Sequence, residues 1–335
     1  MSTWTATPDS HSSQPERISR KRVGTYLAIA LGGAVLVAVL LRWLATALSP
    51  ATAWVMTPAV ALLYMPLPLV AGLVVERMAG RRLLLVRAWR GLGSIPRRVA
   101  LLSAGILPVL AVVVLALVLS AALAWLGVPG AGSVITTQAE LLAQLEQISP
   151  VPLPEETAAG LPPLPLLLGL TLLQGLLAGA TINAVVALGE EYGWRGVLAE
   201  ELAPLGMVRS HLFIGVIWGL WHAPAIVLLG HNFGAEWGWG IIVMVLMCVP
   251  MGFVLAWVAA RSGVVGAAIA HGVINGTLGV SALMFAGASP LVTPPGLALA
   301  VASVVVAVGL WRLWGRPDLR AESPSPTGRR IELPR

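Results

Sequence analysis

Long runs of apolar residues recur along the chain from residue 23 to residue 314. A helix that crosses a membrane needs about 17–25 mainly apolar residues. By this criterion the pattern predicts about eight spanning helices, which cover residues 23–41, 52–75, 99–127, 164–189, 211–229, 240–260, 264–287 and 296–314. The predicted fold class is therefore an all-α polytopic membrane protein.

The composition supports a chain that resides in lipid. Of the 335 residues, 57% are hydrophobic and 11% are charged, whereas soluble proteins have about 25% charged residues. So few charges cannot cover a water-soluble surface, which excludes a soluble enzyme, a nucleic-acid binder and a disordered protein. The single cysteine, Cys248, excludes a disulfide framework and a multi-cysteine metal site. We expect Cys248 to be inert core and the lipid bilayer to be a partner.

The distribution of charge predicts how the chain is oriented. If the N-terminus is cytoplasmic, every Lys and Arg except Arg42 lies on the cytoplasmic side, and the external connection 128–163 contains glutamates but no base. Basic residues favour the cytoplasmic side of a membrane. This predicts both termini inside and an even number of spans. Of the 21 basic residues, 20 are arginine and only Lys21 is lysine. Such a preference for arginine is typical of GC-rich bacteria, so we expect a multi-pass protein of a bacterial inner or plasma membrane.

Composition shifts divide the chain into five predicted regions. They are a disordered cytoplasmic N-terminus (1–22), an N-terminal transmembrane region with the external loop 128–163 (23–163), a core that carries the polar motifs (164–290), a last transmembrane helix (291–314) and a basic cytoplasmic tail (315–335).

The first polar motif ends the fourth predicted span. Ionisable groups at the centre of a span cost at least about 2.5–3.5 kcal/mol and usually serve a function. Glu191 and Arg195 are four residues apart and can pair, whereas Glu190 is rotated by about 100° and stays free for another partner. The alternative is a charged helix end at the water interface, which is what we expect of Glu200 and Glu201.

Two further motifs lie in the fifth and seventh predicted spans. Trp218 and His222 occur deep in the fifth, followed by Pro224, while His271 and Asn275 share one face of the seventh. A single histidine in an apolar helix is also compatible with simple packing, but an imidazole and a carboxamide on one face are harder to explain in that way. The remaining histidines are expected in solvent or at the interface: His11, His211 and His231.

The three motifs, in this order on three spans, resemble the CAAX protease and bacteriocin-processing (CPBP, or Abi) family of intramembrane proteases, which includes the type II CAAX prenyl endopeptidases. The family pattern is Glu-Glu-x-x-x-Arg, Phe-x-x-x-His and His-x-x-x-Asn (or Asp). It is met at 190–195, 218–222 and 271–275, with Trp218 in place of the usual Phe. The resemblance covers about 180–285, so 164–290 is expected to be a protease core with the active site among the helices of the second half.

The resemblance implies a glutamate peptidase that requires no metal or other cofactor. It assigns water activation to Glu190 and His222 and oxyanion stabilisation to His271 and Asn275. Peptide hydrolysis independently requires such a base and such donors. Three other residues would support the site: Glu191, Arg195 and Trp218. The substrate would be a membrane-associated peptide or protein.

Other interpretations remain open at this point. Two Glu and two His residues could instead ligate Zn²⁺, although there is no His-Glu-x-x-His and Asn275 is a poor ligand. A non-catalytic immunity or scaffold protein and a transporter are the alternatives outside enzymology.

The depth of Glu190 in the membrane is a further difficulty, because Glu190 would lie about 40 Å along a span that began at Pro163. We therefore expect this span to tilt and to continue as a helix beyond Arg195 inside the protein.

Overall fold

Helix fills almost all of the chain that the computed structural model describes, which comprises residues 17–48, 55–84, 86, 94–149, 153–154, 156 and 160–314. Its α-helices are α1 (Arg20–Ala47), α2 (Met56–Leu63), α3 (Leu67–Ala79), α4 (Ile95–Trp125), α5 (Gln138–Ile148), α6 (Leu164–Ala178), α7 (Ala184–Glu191), α8 (Ala199–Leu202), α9 (Met207–Trp221), α10 (Ala223–Leu229), α11 (Trp237–Thr277), α12 (Ser281–Met284) and α13 (Leu297–Trp314). Two-residue strands β1 (Ser133–Val134) and β2 (Phe285–Ala286) pair antiparallel.

The predicted all-α membrane fold is confirmed. In the described residues, six helical segments are long and apolar enough to cross a membrane, and the shorter apolar helix Leu297–Leu313 coincides with the last predicted span. The sixth segment, Gly234–Met284, contains two predicted spans. They are separated inside α11 at Gly263, which has φ 67°, a left-handed conformation that glycine adopts without steric cost. The exact number of membrane crossings remains a prediction.

The fourth predicted span continues as a helix well past Arg195, as expected. Helix runs from Leu164 to Leu205 and includes two π-helical segments, Gly179–Asn183 and Tyr192–Leu198. All residues of the second π segment are buried. The continuation inside the protein therefore accounts for how Glu190 can lie in the core despite its distance from the start of the span.

Helix α11 is the centre of the bundle. It packs against α4, α7, α9 and α13. Many large apolar side chains on the outside of the bundle are exposed, as a lipid-facing surface requires, including Leu36 (73%), Ile182 (70%) and Val185 (74%). Glu190, Glu191, Arg195 and His271 are instead buried inside the bundle.

The connection between α4 and α6 is partly folded against the bundle. Thr137 and Glu140 form a capping box at the start of α5, which satisfies two backbone donors. Gln144 donates from Nε2 to the carbonyl oxygen of Ala282 (3.3 Å), and Ser289 donates to the Glu236 carboxylate (3.0 Å). The Gln144 contact and the β1–β2 pair join the α4–α6 connection to α12 and β2, and the Ser289 contact joins the segment after β2 to the start of α11.

The opposite end of the bundle is joined by ion pairs. Arg22 Nε lies 2.8 Å from Glu201 Oε2, and Arg81 pairs with Glu201 and, at 3.1 Å, with Glu200. The expectation that Glu201 lies at the water interface is wrong: it is fully buried. It is buried because two arginines from distant parts of the sequence neutralise its charge.

Several sequence-based expectations concern residues outside the described part of the chain. They are most of the disordered N-terminus 1–22, nearly all of the tail 315–335, most of 85–93 and much of the proline-containing stretch 150–159. The five predicted regions therefore stay predictions.

Candidate active site

The paired glutamates of the first motif have different partners. Glu191 Oε1 accepts from Arg195 Nη1 (3.0 Å) and from His271 Nδ1 (2.8 Å), whereas Glu190 Oε2 accepts from Trp218 Nε1 (2.7 Å). Both carboxylates are buried. The predicted Glu191–Arg195 pair is thus present, and the partner available to Glu190 is the indole of the second motif.

Trp218 lies at the centre of the polar cluster. The Arg195 guanidinium lies 4.1 Å from the centroid of its ring, a distance at which a cation is attracted to an aromatic face. The rings of His271 and His222 lie 5.5 Å and 5.8 Å from it, centroid to centroid. A single aromatic side chain therefore contacts Glu190, Arg195 and both histidines.

His222 lies at the junction between α9 and α10, where Pro224 follows in the first turn of α10. Its Nδ1 is 2.8 Å from the carbonyl oxygen of Trp218. A carbonyl oxygen only accepts, so Nδ1 carries the proton, and Nε2 of the neutral ring is left with a lone pair. This is the tautomer that a general base at Nε2 needs.

Close helix packing brings the third motif to the other two. A Cβ built on Gly179 would lie 2.6 Å from the Cα of Val273, so only glycine allows this approach of the π segment to α11. His271 then reaches Glu191 through Nδ1. The Asn275 carboxamide lies one turn further along the same face of α11.

All four predicted catalytic residues line one cavity of about 620 Å³. The supporting residue Trp218 also lines it, while Glu191 and Arg195 lie behind the wall. Most of the remaining lining is apolar, including Met244, Met247 and Met251 of α11. The structure therefore brings the predicted catalytic and supporting residues together at and directly behind one cavity wall.

The cavity wall also contains polar residues that were not predicted from the sequence, among them Asn183, His231 and Tyr64. Asn183 ends the first π segment and lies seven residues before Glu190, on the same helix face. His231, expected at the interface, lines the cavity with its ring nearly parallel to that of His222 (11°, centroids 6.1 Å apart). Tyr64 donates its hydroxyl proton to the carbonyl oxygen of Trp221.

Two other predictions concern single residues elsewhere in the bundle. Cys248 is a buried free thiol in α11, as expected of an inert core residue. His211, expected in solvent or at the interface, is buried, and its Nδ1 lies 2.9 Å from the carbonyl oxygen of Met207. The intrahelical contact explains how this histidine is accommodated away from water.

The described residues give little support to a metal centre. Nowhere among them do three or more His, Cys, Asp or Glu side chains form a group that could hold a metal ion. Arg195 and His271 share Glu191 Oε1 as their acceptor. Whether the protein needs a metal or another cofactor remains a prediction for experiment.

Fold and site together define a class of protein. A carboxylate, two imidazoles and a carboxamide surround a cavity inside a bundle of apolar helices, and such groups are capable of acid–base chemistry within a membrane. Residues 171–277, about a third of the chain, match the family model of the type II CAAX prenyl endopeptidase Rce1-like proteins. This match confirms the resemblance. At the family level it supports a CAAX-type intramembrane protease, a multi-pass membrane protein that hydrolyses peptide bonds. No curated protein matches the chain.

Proposed function

We propose that the protein is an intramembrane endopeptidase in which Glu190 and His222 activate a water molecule for attack on a peptide carbonyl. The observation that carries this proposal is the convergence of Glu190, His222, His271 and Asn275 on one cavity from three separate helical segments. No local packing requirement explains why four polar groups, far apart in sequence, should meet inside an apolar bundle.

The Glu190 contacts suit a base for water. The Trp218 indole holds Oε2, which fixes the carboxylate and leaves Oε1 for the water proton. The lone pair of His222 Nε2 provides a second acceptor on the same cavity. Positioned acid–base groups of this kind typically contribute about 10²–10⁴ in rate.

His271 and Asn275 are placed to stabilise the oxyanion. Because Glu191 accepts from Nδ1 of His271, the ring is fixed and a positive charge on it is balanced, so Nε2–H can donate. The Asn275 amide offers a second donor on the same face. Two donors aimed at the developing charge favour the tetrahedral intermediate over bound substrate.

Charge balance supports the same assignment. The buried cluster contains two carboxylates, Glu190 and Glu191, and one guanidinium, Arg195. A protonated His271 makes the set neutral, which an apolar environment favours because an unbalanced buried charge is costly. The donor form of His271 is therefore the form that the cluster stabilises.

The substrate is proposed to be a membrane-associated peptide or protein segment. Comparative peptidomics of cells that produce the intact protein or Glu190→Gln tests the function directly. Peptides that appear with the intact protein should disappear with Glu190→Gln and persist with Glu146→Gln, a matched change on the exposed surface of α5. Identical peptide sets from the intact and Glu190→Gln proteins would instead favour the non-catalytic scaffold.

A further inference from the structure

The wall of the cavity is built from one end of the bundle. Its lining includes the second half of α2, the turn after α10, helix α12 and the start of α13, with residues such as Val60, His231, Ser281 and Leu299. Helix α12 lies at the end that carries the 128–163 connection, because β1 of that connection pairs with β2 just after α12. A hydrogen bond from Ser289 to Glu236 adds the start of α11 to the same end.

Exposure decreases along the cavity from this end inward. Asn232, Asn275 and Ala282 line the cavity and are exposed. Glu190 and Trp218 at the other end of it are 2% and 3% exposed. The mouth of the cavity therefore lies at the 128–163 end, and Glu190 and Trp218 lie at its floor.

The opposite end of the bundle is closed. Below Glu190, the second π segment is entirely buried, and Trp194 packs edge-on against Tyr26 with centroids 5.5 Å apart. Beyond that layer, Arg22 and Arg81 pair with Glu201. A substrate approaching from the arginine-rich end would have to break buried ion pairs and open a packed aromatic layer.

The arginine-rich end is the one that the charge distribution assigns to the cytoplasm. We propose that the site opens to the extracytoplasmic side, so that its substrate is a peptide segment exposed at the outer face of the membrane. The identity of the partner as a substrate rests on the proposed peptidase function, whereas the side from which the site is reached does not.

Cysteine accessibility tests the proposal without requiring catalysis. The protein has one native cysteine, Cys248, which is fully buried, so the unmodified chain serves as the background. Cysteines are introduced at the mouth by Ala282→Cys and, separately, by Asn232→Cys. Leu205→Cys, at the 37% exposed turn of the arginine-rich end, is the matched control for the other side.

Each variant is treated with a membrane-impermeant maleimide in spheroplasts and in inverted vesicles. The expected result is labelling of both mouth cysteines in spheroplasts alone and of Leu205→Cys in inverted vesicles alone. The reverse pattern, or failure of both mouth cysteines to label in spheroplasts, overturns the proposal. Loss of the peptidase function would leave this labelling pattern unchanged, so the two failures are distinguishable.

Discussion

Glu191→Gln removes the charge at the centre of the buried cluster while keeping the size of the side chain. Glu191 Oε1 is the shared acceptor for Arg195 and His271, and all three side chains are buried. Removing one partner of a buried ion pair costs about 3–5 kcal/mol because the other charge is left uncompensated. We therefore expect Glu191→Gln to unfold at a clearly lower temperature in detergent micelles.

Activity should fall for a separate reason. A neutral amide no longer favours the positively charged form of His271, so one oxyanion donor is weakened, and loss of such a donor typically lowers kcat by about 10²–10³. Adding Arg195→Met removes the uncompensated charge. Glu190 is then the one charged group of the cluster, and a protonated His271 again makes it neutral, so the double variant should recover thermal stability and part of kcat.

The measurements are thermal unfolding and kcat on a fluorogenic peptide, with Glu146→Gln as the control that should change neither. Equal unfolding temperatures for Glu191→Gln and the intact protein would refute the buried-pair reasoning. A kcat for the double variant no higher than that of Glu191→Gln would refute the proposed effect on His271.

Three further outcomes follow from the contacts. Asn275→Ala should lower kcat by about 10²–10³ with KM nearly unchanged, and an unaltered kcat in the folded fraction from gel filtration would remove its oxyanion role. Trp218→Phe keeps the ring but loses the donor to Glu190, so kcat should fall by only about tenfold; a loss as large as that of Glu190→Gln would contradict this. The backbone N–H of Thr136 is the main cause that lowers the pKa of Glu140 from 4.5, so its ionised form stabilises α5 at neutral pH. That stabilisation should be lost as the pH falls through the lowered pKa, seen as reduced amide protection in α5 but not in α4.

The helices and the first ion pair were predictable because their determinants are local. Long apolar runs define spans, and Glu191 and Arg195 are one helical turn apart. Asn183 was accessible in the same way, since its spacing of seven residues from Glu190 places both on one face. The two π segments could not be foreseen from that periodicity, because each adds residues to a turn and rotates the faces that follow.

Other parts of the site depend on long-range packing. The burial of Glu201 requires Arg22 and Arg81, which are distant in sequence. His231 enters the cavity through a turn that begins with Gly230 in the left-handed region, and nothing in its neighbours along the chain indicates His222 as its contact. Contacts of this kind are fixed by the tertiary arrangement and not by local pattern.

The central claim is that Glu190 activates water without the help of a metal ion. The most direct measurement is the rate of hydrolysis of an internally quenched apolar peptide by purified protein after exhaustive chelation, compared with the rate for Glu190→Gln. The account predicts that the chelated intact protein keeps its rate and that Glu190→Gln loses at least about 10² of it. Hydrolysis by Glu190→Gln at the intact rate, or loss on chelation that Zn²⁺ specifically restores, would contradict the claim.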